Sequence, residues 1–107
     1  MAAARHAVLA RKGWDVEARG LSGAPAVRVI GSDLQHATID RALRYLGLGT
    51  DAAVVIPTGP DARLRVDGLA DALADRSGGG PTPTIVCAQA GEVNSGSVDP
   101  LVEVCEV

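Results

Sequence analysis

Three short apolar runs, separated from one another by stretches that favour helices, constrain the fold more than any other feature of this sequence. The runs are "AVRVIGSD" (26–33), "AAVVIP" (52–57) and "TIVCAQA" (84–90). β-Branched residues give the first two the character of strands. The third is almost continuously apolar, which is typical of a strand buried on both faces. Strands that alternate with helices predict an α/β fold with a parallel sheet and flanking helices.

Two helices are predicted in the first half of the chain. The stretch from Ala2 to Lys12 is rich in alanine and ends before a glycine. The second helix is predicted to begin with Ser32 as its N-cap and Gln35 three residues later, which together form a capping box. Its apolar face, at helical spacing, consists of His36, Ile39, Leu43 and Leu46.

Two more helices are predicted in the second half. One covers Val66–Arg76 with Asp67 as its N-cap, and its inward-facing residues are Leu69 and Leu73. Asp99 and Pro100 are typical of an N-cap and a first helical position, so a last helix is predicted to begin there. About eight residues follow before the sequence ends, whereas an average helix has ~11–12.

Composition limits the possible functions. The 107 residues suffice for one small domain and not for two. Ten basic residues, spread along the chain, stand against 13 acidic ones, and this net charge of −3 argues against a nucleic-acid partner. No apolar run approaches the ~20 residues that cross a bilayer, and no secretory segment is recognisable. We therefore expect a cytoplasmic chain without membrane contact, with an organelle-targeting role of "MAAARHAVLARK" (1–12) as the alternative.

Neither the glycine clusters nor the cysteines predict a binding site. "GLGTDA" (47–52) follows a helix and precedes a strand, the reverse of a dinucleotide-binding turn, so it predicts a helix stop. "SGGGP" (77–81) has no helix after it and no Lys-Ser/Thr pair, so it predicts a flexible connection. Cys87 and Cys105, with only two histidines beside them, form no zinc spacing. We expect no metal site and two buried thiols.

Three segments together resemble a known family. "SDLQHATIDRALRYLGL" (32–48) is similar to the Ser-Asp-x-x-His-x-Ser helix opening of the pyridoxal-phosphate-dependent group II decarboxylases, which include glutamate and aromatic-amino-acid decarboxylases. "IPTGPDARLRVDGLADAL" (56–73) is similar to the family's segment after the next strand. "TIVCAQAGEVNSGSVDPL" (84–101) is similar to its Ala-Thr-x-Gly-Thr-Thr-x-x-Gly-x-x-Asp-Pro-Leu loop. The likeness keeps the family's order and spacing and covers essentially the whole chain.

The resemblance implies a fold type I (aspartate aminotransferase-like) large domain with pyridoxal 5′-phosphate (PLP) as its cofactor. The family's matching histidine stacks its imidazole on the pyridine ring of PLP, and the match falls on His36. The residues themselves allow two roles for this histidine. Just past the end of a parallel strand it stands where open α/β sheets bind ligands, whereas at helical spacing it would fill the apolar face of its helix.

Two other positions match residues near the cofactor in the family. Thr38 matches the motif's hydroxyl position, and we expect it to support the site rather than to contact PLP. Gln89 stands where the decarboxylases carry a threonine near the cofactor. Glu92 and Val93 replace the family's Thr pair, so the resemblance does not fix the substrate or the type of reaction.

The resemblance implies that the chain contributes the ring-stacking wall of an amino-acid decarboxylase that acts as a homodimer on an amino acid as its small-molecule substrate. Such enzymes hold PLP as a Schiff base with a lysine, and the sole lysine here, Lys12, matches nothing catalytic. We therefore expect residues 1–107 to be a partial α/β domain, truncated at both ends, inactive alone and without a catalytic residue. A stand-alone α/β binding or assembly module, a split-enzyme subunit and a degenerate gene remnant are the alternatives.

Overall fold

One parallel sheet organises the chain. The computed structural model describes residues 1–77 and 80–107. Three strands, β1 (Arg28–Ser32), β2 (Ala53–Ile56) and β3 (Thr84–Val86), pair in the order β2-β1-β3, with both pairs parallel. The prediction of a parallel α/β sheet with flanking helices is therefore confirmed.

Helices connect and flank the strands, because parallel neighbours require crossover connections. A 3₁₀ turn, Thr50–Ala52, leads into β2. The α-helices in chain order are α1 (Ala2–Ala10), α2 (Val16–Arg19), α3 (Thr38–Tyr45), α4 (Val66–Ala74) and α5 (Leu101–Glu106).

The core consists of two apolar clusters, one on each face of the sheet, because successive residues of β1 point to opposite faces. The cluster on the side of α1, α2 and α3 comprises Leu9, Val16, Val27, Val29, Leu43 and Ile85. The cluster on the side of α4 comprises Ile30, Ile56, Leu64 and Leu69. The strand that is buried on both faces is thus β1. The prediction of this property for 84–90 is wrong, since β3 is short and only its middle residue, Ile85, is buried.

The capping box predicted at Ser32 and Gln35 is also wrong. Ser32 is the last residue of β1, and its side chain is 1% exposed. It lies opposite Ile56 of β2 in the parallel register. Helix α3 begins only at Thr38, with Ala37 at its N-cap. Strand pairing, a contact between distant parts of the sequence, has therefore overridden the local capping signal.

Helix α4 begins at the predicted residue and lies close to the sheet. Asp67 is inside the first turn rather than at the N-cap, and its Oδ1 accepts a hydrogen bond from Nε of Arg65 (3.1 Å). Leu69 is buried, as predicted. A Cβ at Gly68 would lie only 2.8 Å from Cγ2 of Ile56, so the missing side chain lets the helix approach β2.

The sequence does not predict helix α2. Helix α2 is a single turn capped by Asp15, whose Oδ1 accepts from the backbone N of Glu17 (3.0 Å) and Ala18 (3.2 Å).

Gly47 and Gly49, which follow α3, both have positive φ, so the predicted helix stop is confirmed. The predicted flexible connection 77–81 contains two residues, 78 and 79, that lie outside the described part of the chain.

Candidate functional site

The parallel strands end at one edge of the sheet, and the segments that follow them meet there. The His36 segment (residues 33–37) follows β1, and the Gln89 loop (residues 88–99) follows β3. Between them lies a cleft of about 380 Å³, lined by residues 33–37 and 92–94. Open α/β sheets bind their ligands at this edge, beyond the carboxyl ends of the strands. We call this cleft the His36 cleft and take it as the candidate functional site.

Hydrogen bonds fasten the His36 segment to the sheet. The backbone N of Asp33 donates to the carbonyl of Ile56 at the end of β2 (3.0 Å). Oδ1 of Asp33 accepts from the backbone N of Thr58 (2.9 Å). A Cβ at Gly31 would lie 2.3 Å from Oε1 of Gln35, so glycine leaves room for Gln35 to fold back over the end of the strand.

His36 lies two residues before the first residue of α3, so its predicted place in the first helical turn is wrong. Its side chain is exposed, which excludes the alternative that it fills the apolar face of the helix. Nδ1 accepts from the backbone N of Thr38 (3.2 Å) and lies 2.9 Å from Oγ1 of the same residue. Because a backbone N–H only donates, Nδ1 carries a lone pair and the neutral ring holds its proton on Nε2.

Gln89 contacts the opposite end of the His36 segment. Strand β3 ends at Val86, so Gln89 lies three residues beyond the strand rather than within it. Its Nε2 donates to the carbonyl of Leu34 (3.0 Å). Thr38 and Gln89, two of the three predicted site residues, thus contact the segment that carries the third. Whether any of them contacts a cofactor stays a prediction.

Asp99 is the residue that sequence reasoning misread. The carboxylate was expected to cap a helix, but α5 begins at Leu101 and Asp99 is 3% exposed. Oδ2 accepts from the backbone N of Gln89 (2.7 Å), and Oδ1 accepts from the backbone N of Leu64 (2.8 Å). The backbone N of Asp99 donates in turn to the carbonyl of Gln89 (2.9 Å). Its partners are 10 and 35 residues away in sequence, so no local pattern could have indicated them.

Glu92 forms part of the other wall of the His36 cleft and is 6% exposed. Oε2 accepts from Ser95, through its backbone N (2.7 Å) and Oγ (2.8 Å), and from the backbone N of Asn94 (3.0 Å). These hydrogen bonds, above all the one from the backbone of Ser95, lower the pKa of Glu92 below its ordinary value. The carboxylate is therefore ionised at neutral pH and folds its own loop into a tight turn.

A second cleft, of about 470 Å³, opens at the end of β3 towards α1 and has Thr38 and Cys87 in its lining. Burial raises the pKa of the half-buried Cys87 thiol, so this thiol stays protonated at neutral pH. Cys105 is exposed on α5. The expectation of two buried thiols is therefore wrong for Cys105.

The chemistry of the His36 cleft is that of an imidazole, amides and carboxylates. The only lysine of the sequence, Lys12, lines neither of the two clefts. Within residues 1–77 and 80–107, no group of three or more His, Cys, Asp or Glu side chains could hold a metal ion. In the same described part of the chain, no helix combines the length and apolar character that crossing a membrane requires.

Comparison with known proteins places the chain in a family. The chain is 34% identical over 109 residues to tryptophan decarboxylase 1 of Oryza sativa subsp. japonica, across 100% of this chain and 20% of that protein. It is 30% identical over 93 residues to the acidic amino acid decarboxylase GADL1 of Mus musculus, across 87% of this chain and 17% of that protein. The chain belongs to the group II PLP-dependent decarboxylase family. No family model matches it.

The solved structures agree with this membership. A crystal structure of Oryza sativa TDC with PLP matches with a TM-score of 0.81 and 34% identity, across 98% of this chain and 22% of that one. The predicted fold, a partial parallel sheet with flanking helices of a PLP-dependent decarboxylase, is therefore confirmed. The chain spans about a fifth of the length of the group II decarboxylases that it matches.

Proposed function

We propose that this chain acts as a segment of a PLP-dependent amino-acid decarboxylase and provides the wall that packs against the pyridine ring of the cofactor. One observation carries the proposal. His36 presents an exposed imidazole at the carboxyl edge of a parallel sheet, and its Nδ1 accepts a hydrogen bond from the backbone N of Thr38 (3.2 Å). The related rice TDC, which was crystallised with PLP, supports the choice of cofactor.

The residues of the His36 cleft fit the ring of PLP. A flat imidazole covers a flat aromatic ring, and stacked pairs of this kind contribute about 0.5–1.5 kcal/mol. His36 would exclude water from one face of the ring and restrict its tilt, while its Nε2–H stays free to donate to a ligand oxygen. When bound, PLP supplies the electron sink on which decarboxylation of an amino acid depends.

The fit does not extend to the aldehyde of PLP. Fold type I enzymes bind it through a lysine, and Lys12 lines neither cleft. We therefore propose that the lysine comes from another part of the enzyme, that this chain alone does not decarboxylate, and that the whole enzyme is a homodimer as the family resemblance implies. We propose an amino acid as its small-molecule substrate, in line with the names of the decarboxylases to which the chain is similar.

An NMR titration of the chain tests the proposal. Pyridoxine 5′-phosphate is a suitable probe, because it has the ring and the phosphate of PLP but no aldehyde to react with amines. The ring protons of His36 should move upfield as the probe is added, since they would lie above an aromatic ring. His6, the other histidine, lines neither cleft and is the internal control. Equal shifts of the two histidines, or no shift of His36, would contradict the proposal.

A further inference from the structure

We propose that Gln89 is a positioning residue, which holds the His36 segment in place and is itself held by Asp99. The inference rests on the proposed function only in giving His36 a cofactor to face. The inference assigns to the Gln89 side chain a hydrogen bond within the protein. Through this hydrogen bond, the Gln89 loop determines the position of the His36 imidazole.

The link from Gln89 to the His36 segment is a single side-chain hydrogen bond across 55 residues of sequence. Nε2 of Gln89 donates to the carbonyl of Leu34 at 3.0 Å. That carbonyl lies two residues before His36, and Thr38 holds the imidazole two residues after it. The His36 segment is therefore fixed on both sides of its histidine.

A side chain can position a neighbour only if its own backbone is fixed, and Asp99 fixes the backbone of Gln89 on both sides. Oδ2 of Asp99 accepts from the amide N of Gln89 at 2.7 Å, and the backbone N of Asp99 donates to the carbonyl of Gln89 at 2.9 Å. Hydrogen bonds from a backbone N–H to an ionised carboxylate are about twice as strong as neutral ones.

Oδ1 of Asp99 also accepts from the amide N of Leu64 at 2.8 Å, which links Asp99 and Gln89 to the loop after β2. A second contact supports this link, because Oγ of Ser97 donates to the carbonyl of Ala62 at 2.7 Å. The segments that follow all three strands are thus joined through two side chains, Asp99 and Gln89. A change at Asp99 is expected to reach His36 by way of Gln89, although Asp99 does not line the His36 cleft.

Two variants of the chain test the link. Gln89→Met keeps the length of the side chain and removes the donor to Leu34. The ring resonances of His36 should shift and broaden in the unliganded chain, and affinity for pyridoxine 5′-phosphate should fall roughly fivefold, which corresponds to one hydrogen bond. Asp99→Asn weakens the clamp on Gln89, so the amide N–H of Gln89 should exchange with solvent about tenfold faster.

Leu69→Ala serves as the control for a merely structural effect. It removes a fully buried side chain from α4, outside both clefts, and should lower stability without moving the ring signals of His36. The proposal is overturned if the His36 signals of Gln89→Met match those of the wild type, or if Leu69→Ala moves them equally. The His36 signals are measured without a ligand, so they test the link from Gln89 alone. The proposed function is tested by the titration of the wild type with pyridoxine 5′-phosphate, so the two failures can be distinguished.

Discussion

Ser32 carries the buried hydroxyl that costs this fold stability. The side chain is 1% exposed at the end of the central strand, and Oγ has no hydrogen-bond partner in the described part of the chain. An unsatisfied buried hydroxyl costs about 1–3 kcal/mol. Ser32→Ala should therefore raise the free energy of unfolding by about 1 kcal/mol, as measured by urea denaturation.

Ser97→Ala is the matched control for this prediction, because Oγ of Ser97 does have a partner, the carbonyl of Ala62 at 2.7 Å. This second variant should lower the free energy of unfolding. If both variants destabilise the chain to the same extent, the hydroxyl of Ser32 is satisfied in solution and the prediction is wrong.

Individual residues of the site differ in how far the sequence could indicate them. His36 and Thr38 are two positions apart, so a short motif records their contact. Asp99 is also part of a motif, Asp-Pro, but that motif indicates a helix cap, and its true partners lie in other loops. The sequence therefore identified His36, which lines the His36 cleft, and missed the carboxylate that joins the loops after β2 and β3.

Among the elements, the turn around Glu92 depends on pH. Hydrogen bonds in the folded loop, first of all from the backbone of Ser95, lower the pKa of Glu92 from its ordinary value of 4.5. The folded loop therefore binds its proton more weakly than the unfolded chain does. Its contribution to stability is complete above pH 4.5 and is lost as the pH falls from there through the lower folded pKa.

Thermal melts between neutral pH and about pH 3 check this expectation. The wild type should lose stability over the acidic part of the range. Glu92→Gln should be less stable at neutral pH and should lose less on acidification. A wild type and a variant with parallel profiles would show that the carboxylate does not support the turn.

The elements themselves were predictable where the pattern was local and long. Helix α1 and the start of α4 follow from composition and periodicity, and the positions of all three strands from their β-branched or apolar runs. The start of α3 was not predictable in this way, because β-pairing of Ser32 with β2 extends the strand into the expected cap. The burial of β1 on both faces likewise depends on its place between two neighbours, which no single run reveals.

For the whole molecule, we predict no internal Schiff base. The sole lysine, Lys12, is exposed and lines neither cleft. PLP added to the chain should give no stoichiometric visible absorbance band, and borohydride reduction should leave only scattered, substoichiometric labelling of amines. A stoichiometric band that disappears on reduction, with the adduct mapped to Lys12, would refute this prediction. Lys12→Arg is the control for background reaction at the N-terminal amine.

The packing of His36 against the ring of the cofactor is tested most directly by calorimetric titration of the chain with pyridoxine 5′-phosphate. We predict about fivefold weaker binding for His36→Ala, which corresponds to ~1 kcal/mol of stacking. The free energy of unfolding should fall only by the loss of one exposed hydrogen bond from Thr38, about 0.5 kcal/mol. His6→Ala should bind the probe as the wild type does. Equal dissociation constants for the wild type and His36→Ala would contradict the stacking role of His36.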